Sequence, residues 1–441
     1  MSAHYHAILD RRTLLKRSAI ALPAAFALGG TRPRQSLSAP LLTFSSRQSD
    51  TREALVAGNS AFAFDIYGEL RKHVVGNLVF SPYSLSTALA MAYAGASGET
   101  ASQMAKALSF SLPQPALHDA FGSLSADLVD RGTAPAFPSL GEPARSLRIA
   151  QAIWGDQTYP FSEAFSSQLE TSYGAAPRQT DFINAPEKAR VHINEWVADQ
   201  TEDRIQEIAP VNSITSRTRM VLANAVYFSG AWEMPFVASE TREAAFYPGH
   251  RDSIDVPFMH NDGQFPYARA NGFQLIDFRF QGSGFAMTII LPDFGNFDSF
   301  EQTLDTDVFA EAVSLASSSL VKVSFPKFRF DSRSNGLKES LRSLGMVNAF
   351  EAEHADFSEM VEGTPPEPLF LGDVLHKAFI GVDEIGAEAA AATVVQASAG
   401  GVSTRPEDIY EMRIDHPFFF AIRDSETGTP LFLGRVMNPS A

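Results

Sequence analysis

The sequence predicts a single α+β domain in which helices come mostly first and strands come mostly later. Apolar residues recur at helical spacing before about residue 200, and runs typical of strands dominate after Arg219. No internal repeat and no linker within the body separates two domains. At 441 residues with 45% hydrophobic composition, the chain is long enough to bury a large core.

The N-terminus has the pattern of an export signal. Paired Arg11 and Arg12 precede an apolar run over residues 19–28, which is too short for a bilayer core that needs about twenty residues. We therefore expect no stable membrane insertion. The arginine pair resembles a twin-arginine signal, with Asp10 and Leu14 departing from the commonest residues there. The alternative is a frayed basic terminus.

These features divide the chain into three predicted parts. We expect an export signal over residues 1–30, a linker rich in Ser, Pro, Arg and Gln over residues 31–50, and one folded domain over residues 51–441. With such a signal, the protein is expected in the periplasm or outside the cell.

Five segments predict the early helices. Phe62, Ile66 and Leu70 follow helical spacing, and Ser81-Pro82 is a cap followed by proline, which opens "SPYSLSTALAMAYAGA". A further helix is expected in "SGETASQMAKAL", and another around "ALHDAFGSLSADLVD". The segment "NAPEKARVHINEWVADQT" predicts an amphipathic helix with Asn184 as its cap.

The later segments predict strands. "RMVLANAVYF" and "FAMTIILP" are apolar on both alternating faces, as expected of strands covered on both sides. "LVKVSFPKFRFD" alternates instead, with Val321, Val323 and Phe325 on one face and Lys322 and Ser324 on the other. The chain closes with two strand-like runs around a Glu-Thr-Gly-Thr turn.

Composition excludes several functions. The net charge is −16 and no basic stripe is present, so nucleic acid is not an expected partner. The chain contains no cysteine, which excludes disulfides, thiolate nucleophiles and cysteine metal sites.

The common catalytic patterns are also missing, so we predict a protein that is not an enzyme, with no catalytic residues, no metal and no cofactor. "GASGE" lacks the second glycine of a nucleophile elbow in register, so Ser97 is interpreted as a helix cap. No histidine pair has zinc-protease spacing, and His354 lies in an acidic segment typical of a solvated loop.

Two polar residues interrupt apolar runs. Asn224 lies in "RMVLANAVYF", and His376 lies in "LFLGDVLHKAFI". Buried polar groups are nearly always hydrogen-bonded, so each needs a partner. They are either two separately satisfied core residues, or members of one network with Ser81 and Ser84 at a place where the structure opens.

The segment over residues 383–401, "DEIGAEAAAATVVQASAGG", fits no single structure. As a strand, one face from Ala387 to Ala397 is entirely small or apolar, while the other carries Glu388 and Gln396 near its ends and faces water. The Glu-Ala-Ala-Ala-Ala run equally favours a helix, so helix, loop and strand all remain open.

Seven segments in order carry a family resemblance: "NLVFSPYSLSTALAMAYAGASGET", "INEWVADQTEDRI", "MVLANAVYFSGAWEMPF", "VPFMH", "FPKFRFDS", "LHKAFIGVDEIGAEAAAAT" and "HPFFFAIRDSETGTPLFLGRVMNP". From about residue 59 to residue 439 the chain resembles the serpins. The resemblance implies one α+β domain of eight or nine helices around three β-sheets, with an exposed reactive-centre loop.

The resemblance also implies a function. Inhibitory serpins are irreversible suicide substrates of serine proteases, and sometimes of cysteine proteases. The protease cleaves the loop, and the freed loop inserts into the main sheet of a metastable protein. Two alternatives stay open: a non-inhibitory serpin that acts as a binding or chaperone-like protein, and an unrelated exported enzyme.

The resemblance assigns roles to individual residues. Glu384 and Gly386 match the start of the hinge, and Ala387 holds the position that enters the sheet first, where Thr is more usual. Ile385 replaces a common acidic residue and is the main departure. Ala389 to Ala392 match the run of small residues in inhibitory members. The hinge assigned after Ala387 comprises Glu388, Ala389, Ala390, Ala391, Ala392 and Thr393.

The family's usual spacing puts the reactive bond between Gly400 and Gly401, with Ala399 as the nearest alternative and Arg405 as a more distant one. Small residues there suggest an elastase-like or subtilisin-like target protease. The resemblance also places the shutter network on Ser81, Ser84, Asn224 and His376, and the aromatic residue of the breach on Trp232. The protein is expected to be a monomer.

Overall fold

A computed structural model describes residues 41–133, 145–249, 252–282, 284–333, 336–363, 367–387 and 409–440. The chain divides into two units, Met1–Phe44 and Ser45–Ala441. Of the first unit only residues 41–44 are described. The site lies in the second unit.

The described part of the chain forms nine α-helices, none of which is long and apolar enough to cross a membrane. They are α1 (Leu41–Leu70), α2 (Pro82–Tyr93), α3 (Gly98–Ala107), α4 (Gln114–Thr133), α5 (Glu163–Tyr173), α6 (Pro186–Gln200), α7 (Phe297–Thr303), α8 (Thr306–Ser314) and α9 (Leu337–Ser343). The described residues also form three short 3₁₀ helices, over Ala238–Glu240, Asn348–Phe350 and Ser358–Met360.

The same part of the chain forms fifteen strands. They are β1 (Leu78–Phe80), β2 (Arg145–Asp156), β3 (Arg178–Thr180), β4 (Met220–Ala231), β5 (Arg242–Phe246), β6 (Ile254–Ala270), β7 (Phe273–Arg279), β8 (Phe285–Pro292), β9 (Ser317–Pro326), β10 (Phe328–Arg333), β11 (Leu371–Val382), β12 (Gly386–Ala387), β13 (Ile409–Arg413), β14 (Phe418–Asp424) and β15 (Pro430–Val436).

The starts of α2 and α3 agree with the sequence predictions, and the start of α1 does not. Ser81 caps α2 as predicted: its hydroxyl accepts from the Ser84 N–H at 3.2 Å, and Pro82 holds the first helical position. Ser97 occupies the cap position of α3, without a side-chain cap bond. Helix α1 begins at Leu41, so residues 41–50 are helical although the sequence was interpreted there as a linker.

The predicted cap of α6 is wrong. The helix begins at Pro186 after Ala185, because proline suits the first helical position and makes the residue before it the cap. Asn184 lies one residue further out, and its N–H donates to the Asp181 carboxylate at 2.8 Å.

The larger sheet has nine strands in the order β1-β15-β14-β8-β7-β6-β9-β13, with β5 paired to β6. Strand β6 is 17 residues long and pairs with β5 and β9 along most of its length and with β7 at its end. Two of the three sheets expected from the resemblance are joined into one by this long strand. The expected three sheets are therefore two continuous hydrogen-bonded sheets among the described residues.

The smaller sheet has six strands in the order β10-β11-β12-β4-β2-β3. Strand β4, predicted as a central strand, has ten of its twelve residues buried. Strands β4 and β11 run parallel and also pair directly with each other. The very short β12 lies between them only at one end.

Two apolar clusters cover the faces of this sheet. The main core contains Leu222, Val226 and Phe228 of β4. A separate cluster lies on the α6 side, where the sheet contributes small side chains. Those side chains are Ala150, Ala152, Ala223 and Ala225, with Val221 and Leu375 beside them. The two faces of β4 therefore meet different surroundings.

Candidate functional site at the junction of β4 and β11

Strands β4 and β11 pair directly along part of their length and then separate. Residues 371–378 of β11 pair in parallel with residues 220–226 of β4. Beyond this zone β12 enters between them and runs antiparallel to both. Ala387 pairs with Val382 on one side and with Gly230 on the other, and Gly386 pairs with Ala231. The sheet is thus opened at one end by two residues.

The gap accepts only small side chains. A Cβ atom added at Gly386 would lie 2.0 Å from the carbonyl oxygen of Gly230, which real Cβ atoms do not tolerate. Ala387 is 1% exposed and belongs to the main core. These two predicted hinge residues therefore fit the gap because of their size.

A tight turn connects β11 to β12. The Asp383 carboxylate accepts from the N–H groups of Ile385 at 2.8 Å and Gly386 at 3.1 Å. The Asp383 N–H donates in turn to the Gly386 carbonyl at 3.0 Å. An Asp side chain that binds the backbone two residues ahead is a common way of reversing a chain. The sequence pattern alone did not indicate a role for Asp383.

The side chain of Glu384, in this turn, contacts Lys327 and Thr241. The Lys327 ammonium lies 2.8 Å from the Glu384 carboxylate, and the Thr241 hydroxyl donates to its other oxygen at 2.7 Å. Burial is the largest influence on the pKa of Glu384 and raises it. The hydrogen bonds from Lys327 and Thr241 together outweigh burial and leave the pKa below its ordinary value. Glu384 is therefore held as a carboxylate.

Trp232, predicted for the breach, holds the backbone of the same turn. It is 1% exposed, and its indole N–H donates to the Asp383 carbonyl at 3.0 Å. Its backbone N–H donates to the Ile385 carbonyl at 2.8 Å. Its ring stacks on Phe280 with centroids 4.6 Å apart. Trp232 thus contributes both to packing and to the position of the turn between β11 and β12.

Four predicted shutter residues form one buried network beneath the paired zone. His376 and Asn224 are opposite one another on β11 and β4, and His376 Nδ1 lies 2.6 Å from Asn224 Oδ1. The Asn224 amide donates to the Ser84 hydroxyl at 2.7 Å. The Ser81 N–H donates to His376 Nε2 at 3.0 Å. Of the two interpretations left open, the structure has the connected network.

The network fixes the protonation of its histidine. Nε2 accepts from a backbone N–H, so it carries no proton, and Nδ1 donates to Asn224. Burial lowers the pKa of His376 to about 4, because a charged imidazole loses its hydration there. The neutral imidazole therefore forms both of its hydrogen bonds while β4 and β11 pair directly with each other.

Part of the predicted site lies outside the described residues. This applies to the hinge positions Glu388 to Thr393 and to Gly400 and Gly401 of the predicted reactive bond. The described chain stops at Ala387 in the sheet and resumes at Ile409, where β13 pairs in parallel with β9.

The family model named Serpin (serine protease inhibitor) matches residues 57–439, which is most of the chain. The chain belongs to the serpin family. An uncharacterised serpin-like protein of Thermococcus kodakarensis is 37% identical over 380 residues, covering 86% of this serpin and 84% of that protein. Mouse leukocyte elastase inhibitor A is 33% identical over 401 residues, covering 88% of this serpin and 100% of the inhibitor.

Solved serpins share the architecture. The crystal structure of Serpin48 of the insect Tenebrio molitor has a TM-score of 0.75 and 28% identity, covering 87% of this serpin and 98% of that chain. The α+β serpin fold expected from the sequence is confirmed. Serpins as a family are protease inhibitors rather than catalysts, and their partners are target proteases.

Proposed function

We propose that this serpin is an irreversible suicide-substrate inhibitor of serine proteases, in which the cleaved loop becomes a new strand between β4 and β11. One observation carries the proposal: at the open end of the junction Ala387 already pairs with both strands, and Gly386 before it pairs with β4. The chain that follows Ala387 starts from a position from which insertion needs only continuation.

The first step takes place in the loop. The nucleophile of the protease attacks the carbonyl carbon of Gly400 and forms an acyl-enzyme ester, while the peptide bond to Gly401 breaks and its nitrogen leaves as an amine. Residues up to 400 are then free to move while still bonded to the protease. Their insertion carries the protease along and distorts its active site before water cleaves the ester.

The register of β12 supports a definite end point. Gly386 pairs with Ala231 and Ala387 with Gly230, so continued antiparallel pairing places Glu388 opposite Ser229 and Ala397 opposite Met220, where β4 begins. The loop is therefore long enough to fill the whole length of β4 before residue 400 is reached. The pairing of Ala397 with Met220 follows from the register alone, whereas the reactive bond at residue 400 rests on the family's spacing.

The same register assigns each inserted side chain a face, because residues opposite each other in a sheet point to the same side. Positions 389, 391, 395 and 397 come opposite main-core residues of β4, namely Phe228, Val226, Leu222 and Met220. All four loop residues are Ala or Val. Ala392 and Val394 come opposite Ala225 and Ala223 on the α6 side, so the middle of the second face meets apolar surroundings rather than water.

Thr393 is the one polar residue on the first face, and its position supports the proposal. Continuing the pairing of Ala387 with Gly230 places Thr393 opposite Asn224, and continuing the pairing of Ala387 with Val382 places it opposite His376. Insertion must separate His376 from Asn224. A threonine hydroxyl both donates and accepts hydrogen bonds. It can therefore bridge the side chains of His376 and Asn224 after the hydrogen bond between them is broken.

The energy of insertion is sufficient for trapping. About ten inserted residues gain ladder hydrogen bonds on both sides, each worth roughly 0.5–1.5 kcal/mol net. With apolar burial this is on the order of 10–20 kcal/mol before costs, comparable with the stability of an ordinary domain.

The target class and the location belong to the same proposal. Small residues around position 400, and relatives named as leukocyte elastase inhibitors, support an elastase-like or subtilisin-like target. The paired arginines and short apolar run support twin-arginine export to the periplasm or the extracellular space.

Incubation of the full chain with pancreatic elastase and with subtilisin, read on a denaturing gel, tests the function. A complex that survives denaturation, together with loss of protease activity, is expected. Clean cleavage of the loop with both proteases still fully active would contradict inhibition and favour a non-inhibitory serpin. Sequencing the fragment released from the complex identifies the reactive bond.

A further inference from the structure

The turn between β11 and β12 has its first three carbonyl groups bound by the body of the protein. The Asp383 carbonyl accepts from the Trp232 indole N–H at 3.0 Å. The Glu384 carbonyl accepts from the Phe236 N–H at 2.8 Å, and the Ile385 carbonyl accepts from the Trp232 N–H at 2.8 Å. The turn is therefore fixed to the body before the chain enters the gap between β4 and β11.

Two strand ladders end at this turn, and Asp383 completes both of them. Continuing the registers of β12 places Ile385 opposite Trp232 and Gly386 opposite Asp383. Residues in a hydrogen-bonded antiparallel pair exchange two N–H···O bonds. The first bond of each pair is present, because the Trp232 N–H donates to Ile385 and the Asp383 N–H donates to Gly386. The N–H groups of Ile385 and Gly386 donate to one oxygen of the Asp383 carboxylate instead of returning the second bond.

These two N–H groups depend on the carboxylate for an acceptor. Gly386 is buried and Ile385 is half-buried, so water does not readily replace the side-chain oxygen. A buried N–H without an acceptor is strongly unfavourable, and the turn would have to shift to restore the regular ladder bonds. Ala387 follows directly, and it is the first residue that pairs with both β4 and β11.

We propose that Asp383 is a positioning residue for inhibition, and that its carboxylate keeps Ala387 in place as the first pair of the strand that inserts. After acylation, insertion competes with hydrolysis of the ester that joins the loop to the protease. A first pair that already exists favours insertion, because the conformational entropy of ordering these residues has been lost before the protease arrives. This inference rests on the proposed function.

The geometry requires an acceptor oxygen at this position rather than a negative charge. Asp383→Asn keeps a side-chain carbonyl oxygen, and Asn forms the same kind of turn as Asp. Asp383→Ala removes the oxygen and leaves both N–H groups without it. The two variants therefore separate the position of the acceptor from the charge of the carboxylate.

Titration of pancreatic elastase and of subtilisin with the full chain measures how many serpin molecules are consumed for each protease molecule inactivated. We expect at least threefold more for Asp383→Ala than for the parent and a parent-like value for Asp383→Asn, with the rate of loop cleavage unchanged in both. Asp262→Ala removes an exposed carboxylate of β6 and is the control. Equal consumption by Asp383→Ala and the parent, or an equal increase in the Ala and Asn variants, would overturn the proposal.

Hydrogen–deuterium exchange of the intact chain, read by mass spectrometry on peptides that cover residues 383–387, tests the positioning without a protease. Exchange should be at least tenfold faster in Asp383→Ala than in the parent, and parent-like in Asp383→Asn. Equal exchange in Asp383→Ala and the parent refutes the positioning role even if the parent inhibits both proteases. Faster exchange beside a parent that forms no complex supports the placement of Ala387 and contradicts only the proposed function.

Circular dichroism checks the folding of each variant. If Asp383→Ala misfolds, Asp383→Ser takes its place, because a serine hydroxyl forms such turns more weakly than a carboxylate. Its exchange and its consumption should then lie above those of Asp383→Asn, and values equal to those of Asp383→Asn would refute the role of the acceptor.

Discussion

Ala387 is the residue on which insertion depends most directly. It is buried in the gap between Gly230 and Val382, and it leads the chain that must follow. A side chain that carries a charge into this position has no partner there, and a buried unpaired charge is strongly unfavourable. The residue therefore separates inhibitor behaviour from substrate behaviour.

We predict that Ala387→Arg converts the protein from an inhibitor into a substrate. Its loop is still cleaved, but the denaturation-resistant complex falls at least tenfold on a gel, because the charge opposes entry into the sheet. Ala387→Gly is the matched control and keeps the complex. A full yield of complex with Ala387→Arg would mean that the hinge is assigned to the wrong residue.

His376 gives the protein a defined response to acid. Burial lowers its pKa from 6.5 to about 4, so the folded protein favours the neutral ring. The corresponding stability is fully present above pH 6.5 and is lost as the pH falls toward 4. At 1.36 kcal/mol per pKa unit, the contribution is about 3 kcal/mol.

We predict that His376→Gln unfolds with a weaker dependence on pH than the parent. Between pH 7 and pH 4.5 the midpoint of urea unfolding should fall less in the variant. Burial also lowers the pKa of His118 to about 4, so part of the pH dependence remains. His73→Gln, which removes an exposed imidazole, is the control. An identical pH dependence in His376→Gln and the parent would show that the network does not hold the neutral ring.

At the scale of elements, the inserted strand has its own test at Thr393. The hydroxyl is expected to matter only after cleavage, when it lies between Asn224 and His376. In Thr393→Val the cleaved form leaves buried polar groups unpaired, at a cost of about 1–3 kcal/mol, while the intact form is unaffected.

The measurement is the thermal midpoint of each form. Cleaved Thr393→Val should unfold a few degrees below the cleaved parent, and Thr393→Ser should recover the difference. If cleaved Thr393→Val and the cleaved parent unfold together, the inserted strand has a different register.

The same elements show how far sequence reasoning reaches. The resemblance to the serpins predicted the hinge at Gly386 and Ala387, and the sequence itself displays the face of small or apolar side chains that runs from Ala387 to Ala397. The partners of Glu384 were missed, since Lys327 and Thr241 are 57 and 143 residues away in the chain. Lys327 follows a strand-like run and had the pattern of an ordinary surface lysine.

The register between strands also could not be predicted from the sequence. The polar residues Asn224 and His376 stood out because each interrupts an apolar run, and this predicted that they need partners. That they are opposite each other follows only from the parallel pairing of β4 with β11. The joining of two expected sheets through β6 likewise depends on a strand length that no local pattern showed.

At the scale of the whole molecule, the smaller sheet is folded but lacks a full strand between β4 and β11. Strands β4 and β11 pair directly over residues 371–378, and they are already separated at the end where β12 lies. Replacing one direct pairing by two pairings with an inserted strand lowers the free energy further. The intact protein is therefore expected to be less stable than its cleaved product.

Thermal unfolding of the intact and the loop-cleaved protein is the most direct test of this central claim. In a folded body of this size each 10 kcal/mol of net gain corresponds to a rise in Tm of roughly 10 °C, from an unfolding entropy of about 2 cal/mol/K per residue. We predict such a rise for the parent after cleavage and little or none for Ala387→Arg. A cleaved parent that unfolds at the same temperature as the intact protein, or below it, would contradict insertion between β4 and β11.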